Sequence, residues 1–308
     1  MTTYTGSGTA ASTDSTGTAA THKTPVALTV DTTNTNMYCS DYSSHVLRLI
    51  VLSSAAVTTF AGTAGSKAAT DATGAAARFR YPRGSLFATT TPLYICDENN
   101  HMRAVTTPGA VVDTWAGTSS GFADGTGTTG VQFNQPHDLA FDATNPAMFI
   151  ADNNNDRIRK ATVPGAVVTS PLGSGTRAVL DGVGTSAQFQ NVESITIDSS
   201  STVLFVGERT AHKVRRIVIA SLTVTTVIGS GTVGMTSSSD PLTALVLALI
   251  STKYTHTAPR FSPTTSSRHT RLPTAQEAGG LRVQQQQRRR ALHHTAARRE
   301  QGVWKDMD

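Results

Sequence analysis

The chain has 308 residues, and its formal net charge of +5 is unevenly placed. Residues 1–250 carry 15 Lys and Arg against 17 Asp and Glu, whereas residues 251–308 carry 11 against 4, so the basic excess belongs to the tail and argues against a nucleic-acid-binding body. Apolar content of 38% supports a sizeable core, and the abundance of Thr, Ser, Gly and Ala before residue 240 favours strands and turns over helices.

Elements recur along the chain at a fixed step, the signature of one supersecondary unit copied several times. The carboxylates Asp41, Asp97, Asp152 and Glu208 stand 56, 55 and 56 residues apart, and Gly6, Gly62, Gly117, Gly173 and Gly229 keep the same step. Each copy opens on a glycine turn such as Gly173-Ser-Gly175. A D-x-x-G segment follows: Asp14 to Gly17, Asp71 to Gly74, Asp124 to Gly127, Asp181 to Gly184. Asp bonds its own nearby backbone and Gly accepts positive φ, so this segment reads as a turn. An aromatic anchor comes next, Phe79, Phe133 or Phe189, with His22 in the first copy.

Three residues on stands Pro25, Pro82, Pro136 or Val192, which leads a short apolar stretch ending at an acid in three copies, as in Leu139 to Asp142. A second stretch, such as Met148-Phe149-Ile150, runs into the periodic carboxylate. A turn rich in Asn and Ser leads to a third stretch, such as Asp156-Arg-Ile-Arg159, and a fourth closes the copy, such as Val167 to Leu172. Four short stretches with strand patterning per unit describe a blade, and stacked blades an all-β propeller whose faces are buried only by neighbours. The copies span about 6–61, 62–116, 117–172 and 173–228, within a propeller domain of residues 1–235. Phe60, Trp115 and Val227, with Phe79, Phe133 and Phe189, supply the predicted inter-blade core.

These columns closely resemble the NHL-repeat family of β-propellers, best in residues 121–160. The family pattern of aromatic, proline, an inner strand ending in Asp and an Asp-x-x-Asn-His-Arg-Ile turn runs in phase through four copies, with His22 at the aromatic column of the first and Val192 at the proline column of the fourth. His45, His101 and His212 fall on its His column, and Arg157 and Ile158 on its Arg-Ile pair. The resemblance covers about residues 3–235. It implies a ring of about six blades, whereas four complete copies are legible. The expectation is an incomplete ring, from a fragment or a degenerate fifth copy. The alternatives are a four-bladed ring, an open arc that associates, and recruitment of the tail.

Periodicity decides how the chemically suggestive residues are read. Equivalent positions in successive blades are related by rotation, so His45, His101 and His212 are not expected to share a zinc ion. Asp41, Asp97, Asp152 and Glu208 read as acceptors for turn amides or partners of Arg48, Arg103, Arg159 and Arg215. The Asp152–Asp156 run lacks the glycine and distal glutamate of an EF-hand loop. No catalytic residue, metal or cofactor is assigned. Cys39 and Cys96 face opposite ways on strands and read as buried thiols.

The positions after the proline column differ from copy to copy: Val26, Arg83, His137 and Glu193. They precede the innermost strand and so stand at one rim near the axis, where a regular scaffold carries specificity. The reading is a non-enzymatic scaffold that binds a protein or small ligand at this rim. The alternatives are a metal-dependent lyase-type propeller, as some members of the resembled family are, and RNA binding through Arg288 to Arg290 of the tail. Residues 236–308 are low-complexity and basic and read as disordered. No signal-peptide pattern is present, and Leu242 to Ile250 is short of the roughly 20 residues that span a bilayer. The compartment is cytoplasmic by default, and extracellular if the amino terminus is truncated.

Overall fold

A computed structural model describes residues 2–231. The tail reading, including Arg288 to Arg290, lies outside the described residues. The described chain forms four antiparallel sheets of five strands, each built from one copy of the repeat. In chain order the third sheet comprises Gly125–Thr126, Pro136–Asp142, Ala147–Asp152, Arg157–Thr162 and Val167–Leu172. The last four of these pair in sequence order, and Gly125–Thr126 adds to the outer edge beside Val167–Leu172.

The fifth strand is the one departure from four strands per copy. The D-x-x-G segment does turn, through a 3₁₀ stretch at Gly17–Ala19, Gly74–Ala76 and Gly184–Ser186. The residues just before each stretch are extended and pair with the fourth long strand, as Ser15 does with Val57. An Asp that grips that fourth strand holds them there. Asp71 accepts the Thr114 amide at 3.0 Å and its hydroxyl at 2.8 Å, and Asp181 does the same for Thr226.

The innermost strands are Pro25–Val30, Pro82–Phe87, Pro136–Asp142 and Val192–Ile197, and each packs beside the next in chain order. They are linked laterally: Thr29 Oγ1 donates to the Ser85 carbonyl at 2.8 Å, and the Ile195 amide donates to Asp138 Oδ2 at 3.0 Å. Between the second and third, Gly84 leaves room for Asp138; a Cβ there would lie 2.7 Å from the Asp138 Cα.

Sheet faces bury against one another through alternating apolar residues. Tyr38, Leu47 and Ala61 meet Phe79, Leu93 and Ile95 between the first and second blades. Met102 and Ala116 meet Phe133 and Ile150 between the second and third. Phe149 and Ile158 meet Phe189 and Leu204 between the third and fourth. The anchors Phe79, Phe133 and Phe189 are fully buried, while Phe60 and Trp115 are partly buried against two of these cores and Val227 is partly exposed. Cys39 and Cys96 form no disulfide and are buried in separate clusters, and burial pushes the Cys39 thiol up to about 12.

Candidate functional site

Two sets of charged residues are built by the repeat, and they sit at different places on each blade. The first is a bracket inside the blade. Arg48, Arg103, Arg159 and Arg215 on the third long strands have completely buried side chains. Each guanidinium lies between two carboxylates. Arg159 Nη1 is 2.8 Å from Asp152 and Nη2 is 2.9 Å from Asp124, and Arg215 spans Glu208 and Asp181 at 3.0 and 2.7 Å. Arg103 spans Asp97 and Asp71 at 3.3 and 2.5 Å. Arg48 is 2.8 Å from Asp14 but 3.9 Å from Asp41.

Loop carbonyls complete the bracket: Arg159 donates to Gln132 and Ala123. The guanidinium also stands over the anchor ring, 5.1 Å from Phe133 for Arg159 and 5.3 Å from Phe189 for Arg215. The periodic carboxylate in turn accepts an amide from the loop before the inner strand, such as Asn134 to Asp152 at 2.8 Å. Burial pushes Asp97 up to about 7 against the pull of Arg103, and raises Asp152 and Glu208 in the same direction.

The His column serves the joint between blades. His45 takes left-handed backbone (φ 61°), and its Nδ1 accepts the Tyr81 amide of the next blade at 3.2 Å. Asn100 (φ 68°) does the same for Gln135 at 3.1 Å, and Asp156 (φ 50°) for Asn191 at 2.8 Å. Asn100, not His101, therefore holds this column in the second copy. The turn there is one residue shorter, so His101 falls on the first strand residue, opposite Asp97. His212 takes the left-handed position in the fourth copy (φ 52°). Burial lowers the basicity of His45 and His101. Among the described residues no group of three or more His, Cys, Asp or Glu is arranged to hold a metal ion.

The second set is the mouth of the axis. Each inner strand carries a register shift just past the proline column, between Pro25 and Ala27, Pro82 and Ser85, Pro136 and Asp138, and Val192 and Ser194. A β-bulge re-aims the extra side chain, and the residues at these shifts are Val26, Arg83, His137 and Glu193. Three of them converge. Arg83 Nη1 is 3.0 Å from Glu193, and His137 Nδ1 is 3.1 Å from the other Glu193 oxygen. Val26 is exposed and does not line this mouth.

The network needs a residue that the repeat analysis passed over. Glu98 takes an ion pair from Arg83 Nε, faces His137 Nε2 at 3.3 Å and accepts the Tyr42 hydroxyl at 3.0 Å. Tyr42, Glu98, Asn153 and Arg209 each follow a periodic carboxylate directly. They vary from copy to copy as the post-proline residues do, and all four line the same opening of about 300 Å³. That variation within a strict step was the available signal.

Burial lowers His137, but hydrogen bonds to Glu193 and Glu98 outweigh it and leave its pKa raised. The His137 hydrogen bond holds Glu193 below the usual range. Burial pushes Glu98 up, but bonds from His137 and Arg83 hold it below its ordinary value. A second cavity of about 290 Å³ opens among the far ends of the same inner strands, lined by Leu28, Phe87, Leu139 and Ile197 among others.

Four adjoining sheets with their first long strands innermost define a β-propeller. No known protein family and no curated protein matches the sequence. Among solved structures, the chain is similar to one in a nidogen/laminin complex, at 13% identity and a TM-score of 0.46 over 65% of this chain and 61% of that one. It is similar to virginiamycin B lyase from Staphylococcus aureus (14%, TM-score 0.44, 65% of this chain and 54% of that one). It is also similar to an auxiliary nutrient binding protein from Bacteroides thetaiotaomicron (14%, TM-score 0.45, 70% and 60%). The chain thus spans less than two thirds of the length of these structures.

Proposed function

We propose that the chain is an NHL-type propeller that works as a binding scaffold rather than an enzyme, and that it holds its ligand at the polar mouth. The observation that carries this reading is convergence. Arg83, His137 and Glu193 come from three blades, are unlike one another, and meet in one network beside an opening of about 300 Å³. Concave shared openings with a few convergent polar groups are where ligands bind. A partly buried ion network also fixes the side chains that rim the opening, which lowers the ordering cost of binding.

A fragment screen read by amide chemical shifts tests the site. Ligands should perturb residues around Tyr42, Gln135, Asn154 and Arg209, and the perturbations should vanish in His137→Ala and Arg83→Ala. Hits that map elsewhere, or that persist in both variants, would sink the reading.

A further inference from the structure

The hydrogen-bonding inventory of the mouth says what kind of ligand it suits. His137 lies between two carboxylates, Nδ1 3.1 Å from Glu193 and Nε2 3.3 Å from Glu98. A neutral imidazole has one N–H donor, and only the imidazolium has two. Its side chain is 5% exposed, so water does not stand in for a missing donor. The charged groups around it are Arg83 on the second inner strand, Glu98 on the second blade's turn, Glu193 on the fourth inner strand and Arg209 on the fourth blade's turn. Tyr42 on the first blade's turn faces Glu98. With His137 protonated, three positive charges face two negative ones.

The acceptors in this set are already engaged. Glu98 is bonded by Arg83 and Tyr42 and faces His137, and Glu193 is bonded by Arg83 and His137. The donors are not. Arg83 Nη2 and the Arg209 guanidinium make no hydrogen bond among the described residues, and Arg209 is exposed. Gln135 and Asn191 use their side-chain oxygens on Asn154 and Thr210, which leaves their amide hydrogens for a ligand.

We propose that the mouth takes a ligand bearing an oxyanion, a carboxylate or phosphate group, on Arg209 and the free edge of Arg83, and that the imidazolium of His137 makes the site positive enough to hold it. Protonated His137 offsets the charge of Glu98 and Glu193, which also hold Arg83 and would otherwise repel the anion. The same His137 pulls three blades to one point, so the donors are set before the ligand arrives. The raised pKa of His137 agrees with this geometry. The inference rests on the mouth being the binding site.

Succinate, with neutral succinamide as its isostere, tests the class directly on the full chain. Calorimetric titration at about pH 6 and about pH 8 brackets the ordinary histidine range. Saturable succinate binding should weaken by about tenfold or more at the higher pH and in Arg209→Gln, a factor equal to one lost charge-assisted contact. Arg209 is exposed, so that variant folds. Succinamide binding as tightly as succinate would overturn the anion class while leaving the mouth as a site. Succinate binding that ignores both Arg209→Gln and His137→Gln would mark an adventitious ion only, and absence of succinate binding at both pH values would also overturn the proposal. Independently of any ligand, the ring nitrogens of His137 should both show imidazolium shifts at about pH 6, within the ordinary histidine range; a neutral tautomer there would overturn it as well.

Discussion

The propeller holds charge at two stations, the bracket around each blade's arginine and the mouth the blades share at their inner ends, and the two use repetition in opposite ways. The bracket repeats the same parts. Arg48, Arg103, Arg159 and Arg215 stand at equivalent places on four third strands, each with its own pair of carboxylates. Rotation between blades keeps such copies apart, so their chemistry is spent within the blade. The mouth assembles unlike parts. Arg83, His137 and the glutamates Glu98 and Glu193 differ in charge and donor count, and the axis brings them within hydrogen-bonding distance. In a repeat protein, sameness reports on folding and difference reports on the shared opening.

The widest separation between the stations should appear in stability. Asp152→Ala strips Arg159 of one carboxylate and leaves a buried cation held by Asp124 and two carbonyls. Breaking a buried pair on one side costs about 3–5 kcal/mol, and equilibrium unfolding in urea should register a loss of that size. A loss under about 1 kcal/mol, the worth of an exposed pair, would erase the distinction between bracket and mouth. Replacing Asp152 and Arg159 together by apolar residues of similar volume should recover much of the loss, because no charge is then left unpaired.

Gly84→Ala connects the two stations at intermediate cost. The added Cβ meets Asp138 Oδ1 at 2.5 Å, the Asp138 Cα at 2.7 Å and the His137 carbonyl at 2.8 Å. Two of these are backbone atoms, so the second and third inner strands must separate. Overpacking of this kind costs about 1–3 kcal/mol. The strand that moves carries Arg83, so the amide shifts of Glu98 and Glu193 should move with it. Stability loss without those shifts would show that the mouth is not braced by its neighbouring strands.

Much of this plan was legible because it is written in the step. The blade, its four long strands and the Phe79, Phe133 and Phe189 anchors follow from the 55–56-residue spacing and alternating polarity. The short outer strand was hidden because two extended residues before an Asp-initiated turn carry no pattern of their own. His101 was misplaced because residue type suggested a His column; the column selects residues that accept both a left-handed backbone and an amide bond, and Asn100 meets both conditions. Arg83, His137 and Glu193 were legible as varying positions on a rim. Their meeting was not, since it depends on bulges that leave no mark in composition. Glu98 escaped because attention fell on the repeating Asp97 beside it.

The smallest expected change is at the mouth itself, and it is read best through pH. Burial lowers His137, but the hydrogen bonds it donates to Glu193 and Glu98 leave it above its ordinary 6.5, so its contribution is complete below that value and disappears as pH rises through the folded-state pKa. His137 and Arg83 lower Glu193 and Glu98 below their ordinary 4.5, so theirs is present above that value and is lost as pH falls through the folded-state pKa. The network is therefore strongest between 4.5 and 6.5. Glu193→Gln removes one carboxylate from both His137 and Arg83 but leaves a side chain that accepts a hydrogen bond, so its cost should stay near about 1 kcal/mol. It should also lower the His137 pKa and flatten the alkaline side of the stability profile. Asp124→Ala, acting on the third bracket beside the outer-edge strand Gly125–Thr126, should lower the whole profile and leave the titration of His137 in place. A shift of His137 in both variants would mean that bracket and mouth are one electrostatic unit, and the division between repeated and varying charge would fail.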